Sequence, residues 1–189
     1  MGVVETDGKR YVTYLVKGNK FDPNNIQTNL SSSFGSKPDC AWWGSPEDSN
    51  FGWKEYIKYE WGTEKYDFDN PIKWHLKEGS KIFQIDAEDT VIDLNNDLLK
   101  YIFLMDRDLI KVKLPIEAVA KELQDTVNFE YRPRINFYKM LEDGIVAVEL
   151  MNPSVGHFFA NGLETMFNSW DCESIVVLDS SKIIFDQEE

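Results

Sequence analysis

Cysteine and histidine are scarce in this chain of 189 residues, which has two of each. Cys40 and Cys172 stand far apart and in none of the spacings that hold zinc, so we expect neither a disulfide scaffold nor a metal site. Both thiols are predicted to be free and partly buried. A Ser-His-Asp site would have to use His75 or His157. His75 falls in a predicted strand, which favours a structural role, whereas His157 falls in a loop and is the better functional candidate.

Long apolar runs are also missing. No stretch approaches the roughly 18 to 20 apolar residues that cross a bilayer, and the segment from Met1 to Arg10 is polar where a signal peptide would be apolar. The chain has no G-x-x-x-x-G-K-[ST] loop, no G-x-G-x-x-G and no G-x-S-x-G. We therefore expect a soluble, cytoplasmic protein that does not bind membranes and that lacks the common nucleotide and hydrolase signatures.

Positive charge is the third deficit. Twenty Lys and Arg residues stand against 33 Asp and Glu residues, which gives a net charge of −13. This charge disfavours direct binding to nucleic acid or anionic lipid and favours a basic protein partner. The hydrophobic fraction of 42% is enough for one well-filled core, so residues 1–189 are expected to form a single domain.

The order of the predicted elements favours an α+β fold. Runs of β-branched and aromatic residues predict strands at Tyr11 to Val16, Cys40 to Trp43, Ile72 to Leu76, Lys81 to Ile85, Ile145 to Leu150 and Ser174 to Leu178. Apolar spacing predicts helices at Phe51 to Trp61, Asp89 to Phe103, Ile116 to Gln124, Ile135 to Asp143 and Gly162 to Phe167. Helices and strands mix without strict β-α-β alternation, so a doubly wound parallel sheet is not expected.

Two local signals refine these elements. The turn from Lys77 to Ser80, with Gly79 inside it, predicts that the strands on either side form a hairpin. Ser45 is followed by Pro46, Glu47 and Asp48. A capping hydroxyl, Pro at the first helical position and acids at the positive end of the dipole together predict a helix that begins at Ser45.

Aromatic residues are dense in one short stretch: Trp42, Trp43, Phe51, Trp53, Tyr56, Tyr59 and Trp61. Such rings can form a stacking wall for a planar base or nicotinamide, or they can pack a helix on a sheet. Both interpretations stay open, and different rings can serve each of them.

Two carboxylates precede the last long strand. Asp171 and Glu173 are two residues apart, so in extended geometry their side chains project to the same side. A pair of this kind suits acid–base work or the orientation of a ribose hydroxyl. The alternative is that both are strand-end charges that keep the sheet edge soluble.

Three segments resemble elements of ADP-ribosyltransferase-like domains. Tyr14 to Asn19 (YLVKGN) resembles their first catalytic strand, in which a His or Arg precedes Gly and a Thr or Ser follows. Ala41 to Pro46 (AWWGSP) resembles their second strand, an apolar run that closes on Ser or Thr. Glu173 to Ile183 (ESIVVLDSSKI) resembles their closing strand, a Glu followed by V-V-F-D-P-x-x-I. The W-G-S-P and W-D-x-x-S-I-V-V elements also resemble a set of uncharacterised phage and prophage proteins.

The resemblance implies a fold and a chemistry. The fold would be a split mixed or antiparallel sheet with flanking helices, whose cleft holds NAD in a bent form. The chemistry would be attack on the ribosyl carbon as nicotinamide leaves. An aromatic ring would stack on nicotinamide, and a carboxylate would hold a ribose hydroxyl or activate the acceptor.

The resemblance also implies site residues. Lys17 would bind the pyrophosphate, Ser45 would hold the ribose, and Trp43 or Trp53 would stack on the ring. The full set of NAD-binding residues that it implies is Lys17, Gly18, Asn19, Trp43, Trp53 and Ser174.

The last strand departs from the family pattern by one residue. Alignment on Val176 to Asp179 puts Ser174 at the position of the catalytic Glu, and a shift of one residue turns Glu173 to the opposite face. Activity then requires a bulge that re-aims Glu173, or the substitution of Asp171 or Glu149 for it.

Two functions therefore stand as hypotheses. The first is a phage-encoded mono-ADP-ribosyltransferase, or a related nucleotide-binding protein, that takes NAD and acts on a host component through Glu173, Asp171 and Ser45. The second is a noncatalytic acidic protein that inhibits a host factor, with the charge of −13 steering it toward a basic surface.

Overall fold

Eleven strands and three α-helices make up the regular structure of the described residues, apart from three short 3₁₀ helices. The structure is a computed structural model, and it describes residues 1–26, 28–30, 37–38, 41–60, 64–86, 96–106, 111–124, 131–152 and 170–186. Strands β1 to β11 are, in chain order, Gly2–Glu5, Arg10–Thr13, Trp42–Pro46, Ile72–Leu76, Lys81–Asp86, Ile102–Met105, Lys111–Val112, Arg132–Ile135, Ile145–Met151, Ser174–Val177 and Ile183–Phe185. Helices α1 to α3 are Trp53–Glu60, Ile116–Gln124 and Phe137–Glu142.

The strands form two sheets. The large sheet has eight strands in the order β1-β5-β9-β10-β3-β2-β4-β11, and its recorded pairs are antiparallel except for the parallel pair β5–β9. The small antiparallel sheet has the order β7-β6-β8. A mixed α and β structure with a large mixed sheet and few helices agrees with the predicted class. Within these ranges no helix has the length and apolarity needed to cross a bilayer.

The centre of the large sheet is buried on both faces. On one face, Phe83, Val148 and Val176 pack against α2, α3 and the small sheet. On the other face, Ile82, Ala147, Ile175 and Val177 pack with Tyr11, Trp74 and Leu76. The near-continuous apolar runs in β9 and β10 follow from burial on both sides.

Side chains of β2 and β9 approach each other on one face of the large sheet. In a flat sheet, three strand spacings of about 4.8 Å would put β2 about 14 Å from β9. The buried Tyr11 of β2 nevertheless lies close enough to the Glu149 carboxylate of β9 that burial and this charge together raise the pKa of its hydroxyl. The long Tyr11 and Glu149 side chains therefore reach toward each other across the two strands between them.

Gly44 of β3 allows a close approach of a tryptophan from β4. A Cβ on Gly44 would lie 2.6 Å from Cζ2 of Trp74 and 3.0 Å from the carbonyl oxygen of Val12. The Trp74 indole therefore packs directly on the β3 backbone. Its Nε1 donates to the Thr13 hydroxyl at 2.9 Å, and that hydroxyl donates to the Trp43 carbonyl at 2.5 Å.

Strand β3 changes partners along its length. Its first three residues pair with β10, through Trp42 to Val177, Trp43 to Val176 and Gly44 to Ile175. Its last two residues pair with β2, through Ser45 to Val12 and Pro46 to Tyr11. The two sides of the large sheet are thus joined through different halves of one strand.

Several predicted elements are corrected by the structure. Strands β4 and β5 and the Gly79 turn between them are present, but they form no hairpin, because β4 pairs with β2 and β11 while β5 pairs with β1 and β9. In the described part of the helix predicted up to Phe103, Asp97–Tyr101 is a 3₁₀ helix and Ile102–Met105 is a strand whose Leu104 enters the core. The first predicted strand stops at Thr13. Predictions for Cys40, Trp61, His157 and the segments 89–95 and 162–167 lie outside the described residues.

We predict that Gly44→Ala lowers the free energy of unfolding by about 1 to 3 kcal/mol, because the added Cβ overlaps the buried Trp74 ring. Urea unfolding followed by far-UV circular dichroism measures this change. Gly2→Ala is the matched control, since a Cβ there meets nothing within 4 Å. Equal unfolding midpoints for both variants would contradict the direct packing of Trp74 on β3.

Candidate functional site

A cavity of about 300 Å³ lies where β3 passes from β10 to β2. Its floor includes Gly44 and Ser45 of β3. Its walls carry five aromatic rings, those of Tyr14, Trp43, Trp53, Tyr66 and Trp170. The remaining polar lining consists of Thr13, Lys37, Asp171, Cys172 and Ser174. A volume of this size, at the small end of ligand pockets, fits one planar ring with its attached groups.

Neighbouring aromatic contacts fix the rings of the cavity wall. Trp43 and Trp170 meet edge to face with centroids 4.8 Å apart, and Trp53 meets Tyr66 edge to face at 6.1 Å. The adjacent Trp42 points to the other face of the sheet, where it packs against Trp74 and Phe185. Because side chains alternate along β3, Trp43 lines the cavity and Trp42 packs against the core on the other face.

Ser45 joins β3 to the start of α1. Its buried hydroxyl accepts a hydrogen bond from the backbone N–H of Trp53 at 2.8 Å. The predicted helix start at Ser45 is wrong, because β3 continues through Pro46 and a turn intervenes before the helix. Gly52 lets this turn pack closely, since a Cβ there would lie 3.0 Å from Ser45 Cβ. Ser45 thus bonds the helix N-terminus across eight residues of chain.

The two predicted carboxylates lie in different places. Asp171 lines the cavity, where its Oδ2 is 3.8 Å from Lys37 Nζ. Glu173 is absent from the residues that line the cavity; its carboxylate accepts a hydrogen bond from the Ser49 hydroxyl, and its N–H donates to the Phe51 carbonyl at 3.0 Å. The predicted same-side pair is wrong, because β10 begins only at Ser174 and residues 171–173 are not strand.

Ser174 lines the cavity, as alignment on the last strand predicts, and its hydroxyl donates to the Cys172 carbonyl at 3.0 Å. Glu149 does not take the place of Glu173. It is fully buried on the face that carries Tyr11, where it pairs with Lys9 at 2.9 Å and accepts from Gln84 at 2.9 Å.

The first-strand motif predicted to bind NAD lies outside the cavity lining. Strand β2 ends at Thr13, so the chain leaves the sheet before it reaches Lys17. The N–H of Lys17 donates to the Lys65 carbonyl, and Gly18 takes a φ of 87° in the turn that follows. Gly18 and Asn19 line a separate surface depression beside Phe21.

Eight lining residues of the cavity were not among the predicted site residues: Val12, Thr13, Tyr14, Lys37, Gly44, Tyr66, Trp170 and Cys172. Lys37 follows a Ser- and Gly-rich stretch that has no periodicity to place it. Tyr66 reaches the site through an isolated bridge between its backbone and Val16, a pairing that no local pattern signals.

Burial controls the ionisation of two groups in the cavity. It raises the pKa of the Cys172 thiol to about 12, although the nearby Lys37 ammonium opposes the shift. Burial lowers the pKa of Lys37, which the Asp171 carboxylate opposes. Cys172 is therefore a protonated free thiol at neutral pH and not a nucleophile. No three His, Cys, Asp or Glu side chains among the described residues are grouped so that they could hold a metal ion.

The chain matches no protein-family model, no curated protein and no solved structure.

We predict that Cys172 resists alkylation in the folded protein at pH 8, because its thiol is 2% exposed and protonated. Iodoacetamide labelling followed by mass spectrometry measures this in a Cys40→Ser background, which removes the other thiol. The same protein unfolded in urea supplies the fully reactive control. Labelling of the folded protein at the unfolded rate would contradict the burial of Cys172.

The raised pKa of the Cys172 thiol predicts that the protein loses stability at alkaline pH. Its folded-state pKa of about 12 lies above the ordinary value of 9.0, so its contribution to stability is fully present below pH 9 and is lost as the pH rises toward 12. The slope reaches at most about 1.4 kcal/mol per pH unit. Urea unfolding between pH 8 and 10.5 should therefore show a steeper decline for the wild type than for Cys172→Ala; parallel declines would contradict the shift.

Proposed function

We propose that the cavity binds the nicotinamide end of NAD and that the protein catalyses an NAD-linked ADP-ribosyl transfer. The observation that carries the proposal is a ring-sized, aromatic-walled cavity with a carboxylate, Asp171, among its lining residues. Its position at β3 supports the proposal further, because β3 contains the W-G-S-P segment that resembles the second strand of ADP-ribosyltransferase-like domains.

The aromatic walls suit the nicotinamide ring of NAD. Trp53 and Trp43 offer ring faces and edges from α1 and β3. Aromatic faces attract planar rings, and they attract cationic groups more strongly through the ring quadrupole. The nicotinamide ring of NAD carries a positive charge, so both contributions act in the same direction.

The transfer reaction breaks one bond to the ribosyl carbon and forms another. The bond between the ring nitrogen and the ribosyl carbon breaks, its electron pair stays with nicotinamide, and the acceptor nucleophile forms the new bond to that carbon. Asp171 is the carboxylate in position to hold a ribose hydroxyl or take the acceptor's proton. Glu173 is occupied by Ser49 outside the cavity, so we assign it a structural role.

The second candidate function is a noncatalytic acidic protein that binds a basic partner. The placement of Glu173 favours it, because the carboxylate that the resemblance makes catalytic is bonded to the turn before α1. The net charge of −13 supplies the electrostatic steering for such a partner. NAD binding and turnover distinguish the two functions.

We predict that Trp53→Leu weakens NAD binding at least tenfold, because stacking on an aromatic ring contributes about 1 to 3 kcal/mol. Isothermal titration calorimetry measures the dissociation constant. Tyr59→Leu is the matched control, since Tyr59 lies on the same helix with a ring that is 71% exposed. Absence of NAD binding to the wild type at millimolar ligand would overturn the proposal and leave the acidic binding protein.

Turnover tests the carboxylate assignment. With labelled NAD and bacterial lysate as the source of acceptors, we expect nicotinamide release and labelled product from the wild type and from Glu173→Gln. Asp171→Asn should reduce both by a factor of about 100 or more, the range of general acid–base groups. Loss of turnover in Glu173→Gln with retention of turnover in Asp171→Asn would reverse the assignment of the catalytic carboxylate. NAD binding by the wild type without turnover would restrict the function to binding.

A further inference from the structure

Two charged side chains belong to the described lining of the cavity, and they face each other. Lys37 Nζ and Asp171 Oδ2 are 3.8 Å apart, with one third of the Lys37 side chain and 29% of the Asp171 side chain exposed. This separation is longer than a direct hydrogen bond, so the pair attracts electrostatically while both groups keep hydrogen-bonding capacity.

The pair lies beside the aromatic wall. Lys37 Nζ is 5.4 Å from the centroid of the Trp43 ring, and Trp43 in turn contacts Trp170, the residue before Asp171. A ring stacked in the cavity would therefore present the substituents on its edge to a donor and an acceptor that stand side by side.

We propose that Lys37 and Asp171 together select a primary carboxamide on a planar heteroaromatic ring and reject the corresponding carboxylate. Lys37 donates to the amide oxygen, and Oδ2 of Asp171 accepts from the amide nitrogen, while the second oxygen of Asp171 serves the ribose hydroxyl of the proposed reaction. This inference rests on the proposed function and defines which ring substituent the cavity takes.

The selectivity follows from hydrogen-bonding capacity and charge. A carboxamide offers one acceptor and one donor next to each other, which matches the pair group for group. An ionised carboxylate offers two acceptors and no donor, so one of its oxygens faces the Asp171 carboxylate as a like charge. The rejection is thus a repulsive contact added to the attractive one with Lys37.

Each member of the pair depends on the other. Burial lowers the pKa of Lys37, and the Asp171 carboxylate opposes that shift. Lys37 alone would favour an anionic ligand, whereas Asp171 alone would exclude one. The specificity therefore resides in the combination and should change when either charge is removed.

The test compares nicotinamide with nicotinic acid by isothermal titration calorimetry at pH 7.5. We expect the wild type to bind nicotinamide at least tenfold more tightly than nicotinic acid. Asp171→Asn keeps the side-chain shape and removes the charge, so it should narrow this preference at least tenfold. Lys37→Met should weaken binding of both ligands, with nicotinic acid losing more because its only cationic partner is gone.

The controls separate failure of the inference from failure of the proposed function. Lys17→Met removes a lysine that does not line the cavity, and it should leave the preference unchanged. Pyridine carries the same ring without either substituent, and Trp53→Leu removes a stacking wall. Thermal melts establish that each variant is folded.

Two outcomes would overturn the inference alone. The first is equal affinity of the wild type for nicotinamide, nicotinic acid and pyridine, with loss of all three in Trp53→Leu. The second is a preference for the amide that Asp171→Asn leaves intact. Binding of none of the three ring compounds would overturn the proposed function itself, and the inference with it.

Discussion

The contact between the Trp74 ring and the backbone of β3 at Gly44 is the constraint from which the rest of the structure follows. The ring occupies the space of the missing Cβ, and its indole N–H is linked through the Thr13 hydroxyl to the Trp43 carbonyl. Strands β2, β3 and β4 are thereby linked at one point of the large sheet. On the reverse face of β3, Trp43 and Ser45 line the cavity at the step where the strand exchanges β10 for β2. The packing of Trp74 on one face of β3 thus positions the cavity on the other face.

Several polar side chains of this region serve the fold as well as the cavity. Ser45 lines the floor while its hydroxyl bonds the first N–H of α1, so it cannot be removed without loosening the helix that carries Trp53. Glu173 is held at the turn before α1 by hydrogen bonds to the Ser49 hydroxyl and the Phe51 carbonyl. This division leaves Asp171 and Lys37 as the charged lining residues among those described, and it concentrates the chemistry of the cavity in one facing pair.

Local patterns in the sequence predicted where strands lie better than they predicted which strands pair with each other. The SIVV run indicated β10, because a strand of this kind is signalled by neighbouring residues along the chain. Alternation did not place Glu173, because residues 171–173 precede the strand. The predicted hairpin between β4 and β5 was wrong, because strand pairing depends on strands that are distant in sequence. Strand β4 pairs with β2 and β11, and β5 pairs with β1 and β9. The helix start at Ser45 was wrong for the same reason: its hydroxyl found the correct class of partner, a helix N-terminus, eight residues later. Lys37 had no signal, since an irregular segment carries no periodicity that places a side chain.

The attachment of Glu173 to the turn before α1 has a mechanical consequence. Its two bonds, one through the side chain to Ser49 and one through the backbone to Phe51, tie the segment that contains Asp171 to the segment that leads into Trp53. A displacement of α1 would therefore carry the carboxylate with it. Trp53 and Asp171 are thus connected through Glu173, and a ligand that binds between them, as we propose, would not first have to order either residue.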